Sequence, residues 1–333
     1  MGDVAMTVPV VYSLAHQYPD LRISVLSRPF AKAFFSYMPK NVDFIAADLK
    51  NEYKGIKGLN QLYGRLKAKQ PTAIADFHDV LRSKYIRTRF TLCGYKTAHI
   101  NKHKNGKRKL CRQKDKVMEQ QPTSFQNYAE VLSKLGYPID LSFTSLFANG
   151  GNQLSQFPNI IGEKPDGERW IGIAPFAAHN GKMYPKEKME EVVKVLSTEY
   201  SNLRIFFFGG GKEEKQILNT WATKYKGCTC ASEVLHGLNE ELVLMSHLDT
   251  MISMDSANMH LASLVGTRVV SIWGATHPYC GFLGWNQKED DAVQNTELEC
   301  RPCSVFGNKP CHRGDFKCMH SIAPNAIIER LNL

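Results

Sequence analysis

No apolar run in this 333-residue sequence approaches the roughly 20 residues that a membrane-spanning helix needs, which argues against a helical integral membrane protein. The stretch Val4–Ala15 is apolar enough to imitate a secretory leader, but Asp3 precedes it and no Lys or Arg does. Met1-Gly2 opens like a myristoylation site, yet Met6 stands where that signal needs Ser or Thr. Internal repeats are absent, and a composition of 43% hydrophobic, 22% charged and 10% aromatic residues excludes a disordered, collagen-like or fibrous chain. Cysteine is modest at nine residues, five of them scattered, as suits a reducing compartment. A cytoplasmic protein is the expectation.

What is abundant is positive charge, but in one place. The formal net charge is +10. Arg82–Lys116 holds 13 Lys and Arg against one acidic residue, a net +12, and the remainder of the chain sums to −2. A near-neutral body with one basic segment first suggests nucleic acid or an anionic membrane. Nucleic-acid binding would call for interleaved aromatics, and Tyr85, Phe90 and Tyr95 are too few. Arg82, Lys84, Arg87 and Arg89 fall on a predicted helix, and Lys102–Arg112 reads as a loop.

Short apolar runs alternate with amphipathic ones. Strands are predicted at Arg22–Leu26, Val42–Ala46, Thr72–Phe77, Trp170–Ala174, Arg204–Phe208, Thr250–Met254 and Arg268–Trp273. Helices are predicted at Pro185–Tyr200, Lys212–Tyr225, Asn239–His247 and Pro324–Leu333. This is the pattern of an α/β protein with parallel sheets. Pro138, Gly150-Gly151, Pro158, Pro165 and Gly167 break it, so the expected division is a domain over 1–150, a linker over 151–168, a domain over 169–322 and a terminal helix over 323–333. Gly2-Asp3-Val4 looks like the turn after a first β-strand for which no residues remain. The expectation is that the natural start lies upstream.

The richest stretch is Thr250–Thr276. A buried-looking strand ends at Asp255 and a helix begins at once, with Ser256, Ala257 and Asn258 in its first turn and His260 one turn in. Free N–H groups and the positive helix end suit a phosphate. The following strand opens a second loop at Gly274-Ala275-Thr276. Gly209-Gly210-Gly211 repeats the strand–glycine–helix arrangement, without G-x-G-x-x-G spacing, and lets a backbone approach a ribose or pyrophosphate. Lys182 is a candidate phosphate counter-charge. Cys300-x2-Cys303-x7-Cys311-x6-Cys318 can hold a tetrahedral structural zinc, with His312 or His320 as substitute ligands; reduced thiols or a disulfide are the alternatives.

Taken in order, Gly2-Asp3-Val4 with Pro9 and Leu14, Gly181-Lys182-Met183-Tyr184-Pro185, Asp255-Ser256-x-x-x-His260-Leu261-Ala262 and Trp273-Gly274-x-Thr276-x-Pro278 resemble glycosyltransferase family 9, the ADP-heptose:lipopolysaccharide heptosyltransferases. The resemblance spans essentially the whole chain. It implies the GT-B fold, with two Rossmann-like domains facing across a cleft, acceptor on the N-terminal side and nucleotide-sugar donor on the C-terminal side.

The resemblance also implies an inverting, metal-independent single displacement with no required cofactor. Asp3 would be the general base. Lys182, Asp255, Ser256, Ala257, Asn258, His260, Gly209, Gly210 and Thr276 would serve the donor, ADP-heptose. Arg82, Lys84, Arg87 and Arg89 would face an anionic lipid-linked glycan acceptor, with peripheral contact at the cytoplasmic face of the inner membrane and no nucleic-acid partner. Ala257 replaces the usual Gly, and Ala177-Ala178 lie where relatives often carry Ser or Thr. The terminal helix would pack back across the domain junction. Two other readings compete: a basic zinc-containing nucleic-acid-binding protein, which leaves Asp255–Pro278 unexplained, and a nucleotide- or glycan-binding relative without turnover.

Overall fold

The computed structural model describes residues 1–156 and 161–333; Pro158 and the rest of the central part of the expected linker lie outside the described residues. The chain forms two compact units. One comprises residues 1, 3–103 and 122–143, and the other residues 2, 104–121 and 144–333. Among the described residues no helix is long and apolar enough to cross a membrane.

In chain order the first unit begins with α1 (Gly2–Ala5), α2 (Val8–Gln17), β1 (Ile23–Ser27), α3 (Lys32–Phe35), β2 (Val42–Ala46), α4 (Gly55–Lys67), β3 (Ala73–Asp76), α5 (Leu81–Leu92) and β4 (Lys96–His99). α2 carries Pro9 in its first turn, where a missing N–H costs nothing, and buries Val8, Val10, Val11 and Leu14. Asn41 donates its amide to the carbonyls of Ala15, Tyr18 and Leu21, fastening the end of α2 to the start of β1. β1 pairs with β2 and β3 with β4, both in parallel. Among the described residues no strand joins the two pairs. Leu59, Leu62 and Tyr63 of α4 pack on Ile86 and Phe90 of α5 in one cluster.

α6 (Lys104–Leu110) and α7 (Ser124–Lys134) follow. Thr123 and Gln126 close a reciprocal cap at the start of α7. The second unit continues with β5 (Arg169–Ala174), α8 (Lys186–Glu199), β6 (Leu203–Phe207), α9 (Lys212–Lys224), β7 (Cys228–Cys230), α10 (Ala231–Val234), α11 (Leu238–Ser246), β8 (Thr250–Met254), α12 (Ala257–Leu264), β9 (Arg268–Trp273), β10 (Ala292–Gln294), α13 (Lys317–His320) and α14 (Pro324–Glu329). Its six strands form one parallel sheet in the order β10-β9-β8-β5-β6-β7. β5 and β8 are its central pair, with Ile171 opposite Thr250. They are not consecutive in the chain: the strand order reverses there, which makes the ends of β5 and β8 the topological switch point of a Rossmann-type sheet. The core beneath is apolar, from Met189, Val192, Val193 and Leu196 of α8 to Ile252 and Ile272 of the strands.

Two expectations need correction. Residues 104–121 do not follow the 1–150 division: they belong to the second unit, and Lys104–Leu110 is a helix rather than a loop. The cause is local burial. Leu110 is fully buried, the Lys107 ammonium lies 4.1 Å from the centre of the Phe282 ring, and Gln121 N–H reaches the Tyr279 carbonyl at 2.9 Å. The terminal helix, α14, packs on α8 of its own unit, with Ile327 and Leu331 in that unit's core. Leu110→Ala is expected to destabilise the second unit by about 2–5 kcal/mol, whereas exposed Lys109→Ala changes it by less than about 0.5 kcal/mol, as read by thermal unfolding.

Candidate active site

Each strand of the parallel sheet delivers a loop at its C-terminal end, and the two loops at the switch point carry opposite charges. Lys182 sits in a 3-10 turn, Asn180–Lys182, after β5, and Asp255 follows β8 directly. Lys182 Nζ lies 2.8 Å from Asp255 Oδ2, with side chains 15% and 4% exposed. The carboxylate is sealed in, and the ammonium keeps an open side with donors to spare.

Close backbone contacts hold the lysine there. Ala275 N–H donates to the Gly181 carbonyl at 2.8 Å. A methyl group on Gly181 would lie 2.7 Å from the Gly307 carbonyl oxygen and 2.9 Å from Ala275 Cβ, so only glycine fits. The Lys182 stem runs over Gly307, whose φ of +73° a side chain rarely adopts. Three loops, after β5, after β9 and around residue 307, therefore stack as one layer.

The start of α12 completes this edge. Ser256 is in N-cap position but makes no side-chain cap; its hydroxyl lies 3.2 Å from that of Ser253 instead. The Ser256 side chain thus does not occupy the N–H groups of the first turn at Ala257 and Asn258. His260 is buried one turn in. Thr276 is fully buried, and among the described residues its hydroxyl has no hydrogen-bond partner. Gly209 and Gly210 lie after β6, where Gly210 N–H donates to Glu214 Oε2 at 2.8 Å. That carboxylate opposes a phosphate there and suits hydroxyl groups. Ala177 N–H points to the Met183 sulfur at 2.9 Å.

Three residues of this region had no motif to announce them. Arg301, buried, donates to the carbonyls of Gly274 (2.5 Å), Thr276 (3.1 Å) and Asn295 (2.5 Å) and to Gln294 Oε1 (3.0 Å). It clamps the loop after β9 from below. Lys116, from the basic segment, donates to the carbonyls of Glu299, Arg301 and Pro302 at 2.7–3.1 Å. Burial, with Arg301 and Lys116 as like charges, lowers His277 to about 4. Its neutral Nδ1 accepts from Tyr279 N–H at 3.1 Å.

Cys300, Cys303, Cys311 and Cys318 line one small cavity with Arg301 and His312. All four are free thiols, and burial pushes Cys318 up to about 11. Among the described residues no group of three His, Cys, Asp or Glu side chains is arranged to hold a metal ion as the side chains stand. His320 lies on α13 and does not line the cavity.

The remaining expected residues belong to the first unit. Asp3 is exposed on α1, and the Tyr128 hydroxyl donates to its backbone carbonyl at 3.4 Å. Burial and the Asp3 charge raise the Tyr128 phenol well above its ordinary value. On α5, Arg87 is committed to Asp76 (2.7 Å) and Asp79 (2.9 Å), and Lys84 lies 3.5 Å from Asp79. Arg89 donates to Asn60 and covers the Tyr63 ring. Arg82 is exposed.

A family model described as "Glycosyltransferase family 9 (heptosyltransferase)" matches residues 61–310. The chain is similar to lipooligosaccharide heptosyltransferase 2 of Campylobacter jejuni, 24% identical over 338 aligned positions covering 99% of this chain and 94% of the relative. Among solved structures it is similar to a glycosyltransferase family 9 protein from Veillonella parvula, with a TM-score of 0.71 at 18% identity, covering 100% of this chain and 93% of that one. It is also similar to ADP-heptose lipopolysaccharide heptosyltransferase II of E. coli, with a TM-score of 0.67 at 16% identity, covering 98% and 93%. The fold is the GT-B fold of these transferases.

His277 supplies a pH test. Its folded-state value lies below the unfolded 6.5, so the unfolded chain binds the extra proton between pH 6.5 and about 4. Stability is therefore lost as pH falls through that window, by up to about 3 kcal/mol. Melting curves should show this slope flattened in His277→Gln.

Proposed function

The chain belongs to glycosyltransferase family 9 and is a glycosyltransferase, and from that membership we propose that it moves heptose from ADP-heptose to a lipopolysaccharide-core acceptor with inversion at the anomeric carbon. The observation that carries the donor half is the Lys182–Asp255 pair at the switch point, beside an uncapped helix start. A nucleoside diphosphate is the ligand class this edge suits: an anion for the Lys182 ammonium and the N–H groups of Ala257 and Asn258. The carboxylate of Glu214 beside Gly210 suits ribose hydroxyls rather than phosphate.

In the proposed reaction Asp3 takes the proton of an acceptor hydroxyl as that oxygen attacks the anomeric carbon. The bond from that carbon to the β-phosphate oxygen breaks, and ADP leaves. Negative charge grows on the leaving diphosphate, and Lys182 with the first turn of α12 stabilises it in place. Asp255 keeps Lys182 from swinging into solvent, and Arg301 fixes the neighbouring loop. No step calls on a metal. The exposed position of Asp3 on α1 leaves its carboxylate open to a substrate.

Removing a preorganised donor of this kind costs about 10²–10³ in turnover. Lys182→Met is expected to lose that much and to weaken ADP binding by calorimetry; unchanged binding and turnover would remove the donor assignment. Asp3→Ala should abolish transfer while leaving ADP affinity within about twofold. Persistent transfer in that variant would sink the base assignment.

A further inference from the structure

α5 carries an exposed apolar face that its unit does not use. Its buried side is formed by Ile86 and Phe90. Leu81 and Leu92 are 88% and 82% exposed, one at each end. They lie about three turns apart, roughly 16 Å along the axis and only about 20° apart around it. On the same geometry they point almost directly away from Ile86 and Phe90, with Thr88 between them. Solvent should select polar residues on that line. Apolar residues on both sides cancel the helix's amphipathic signature, which hides the feature from sequence periodicity.

The flanks of the leucine line are basic. α5 contains Arg82, Lys84, Arg87 and Arg89 and no acidic residue. Arg87 is spent on Asp76 and Asp79, and Arg89 on Asn60 and Tyr63. Arg82 and a half-exposed Lys84, itself 3.5 Å from Asp79, lie beside the leucines. α4 runs alongside with increasing residue number in the same direction: Asn60 meets Tyr85 and Arg89, and Tyr63 meets Phe90 and Cys93. That register carries Ile56, 57% exposed and flanked by Lys54 and Lys57, toward the Leu81 end.

We propose that α5, with the first turn of α4, is an interfacial surface that seats the first unit on an anionic bilayer. Leu81, Leu92 and Ile56 enter between headgroups while Arg82, Lys84, Lys54 and Lys57 meet lipid phosphates. A bilayer fits better than a second copy of the chain, because two such helices face to face would oppose like charges. The choice of a membrane rests on the lipid-linked acceptor of the proposed reaction, but the surface is separate from Asp3 and from the donor edge.

The test is co-sedimentation of the full chain with vesicles of phosphatidylcholine containing phosphatidylglycerol, against phosphatidylcholine alone. Binding is expected only to the anionic vesicles, weakening as salt rises. Leu81→Ser/Leu92→Ser, exposed positions that leave the thermal melt unchanged, should lower the partition at least about tenfold. Arg82→Glu should lower it about fivefold for each charge lost. Equal binding to neutral vesicles, or an unchanged partition in the double variant, would overturn the proposal. So would a wild-type dimer in sedimentation velocity that the double variant dissolves, since the face would then seat a second copy. Heptose transfer to a water-soluble acceptor fragment separates the two readings: absent vesicle binding with intact transfer removes the membrane seat and leaves the transferase reading standing.

Discussion

The donor edge depends on one ion pair. Lys182 and Asp255 come from adjacent strands, β5 and β8, at the point where the strand order reverses. Burying a carboxylate is costly unless it is paired, and here the pair sits where a parallel sheet opens toward a ligand. A lysine held by a buried carboxylate is a positioned cation. In the proposed reaction it would meet growing negative charge without first losing the freedom of a loose side chain. The charge proposed to serve the donor and the charge that anchors it are different residues.

Much of the surrounding structure keeps that pair in register. The loop after β9 approaches Gly181 so closely that no side chain fits, and Arg301 gathers the carbonyls of that loop from below. Lys116 in turn binds the backbone on both sides of Arg301. The basic segment thus divides into three functions rather than one. Arg87 and Lys84 pair with Asp79 in the loop after β3, Lys107 and Lys116 hold residues 104–121 to the second unit, and Arg82 is left for the surface. Local charge density did not amount to a single electrostatic face, because a lysine stem can pack and an ammonium can be consumed by carbonyls.

The sheet of the second unit was legible because buried parallel strands read as continuous apolar runs: Thr250–Met254 and Arg268–Trp273 match to the residue. The short edge strands Cys228–Cys230 and Ala292–Gln294 were not, since three residues carry no period. α6 was hidden by its own composition, four Lys and Arg in seven residues, and is set by the burial of Leu110 and the packing of Lys107 on Phe282, remote in the chain. In the site, Lys182, Asp255 and Ser256 could be found because they follow strands and precede helices. Arg301, Lys116 and His277 could not, because each acts through carbonyls and neighbours remote in sequence. The four cysteines, grouped by their spacing in the sequence, line one small cavity beside Arg301.

Whether the switch-point pair seats the diphosphate is read most directly from a crystal structure with ADP-heptose bound. The β-phosphate is expected within hydrogen-bond distance of Lys182 Nζ and of the N–H groups at Ala257 and Asn258, with the Lys182–Asp255 pair intact. A diphosphate bound elsewhere, or a Lys182 turned away from it, would rule that seat out.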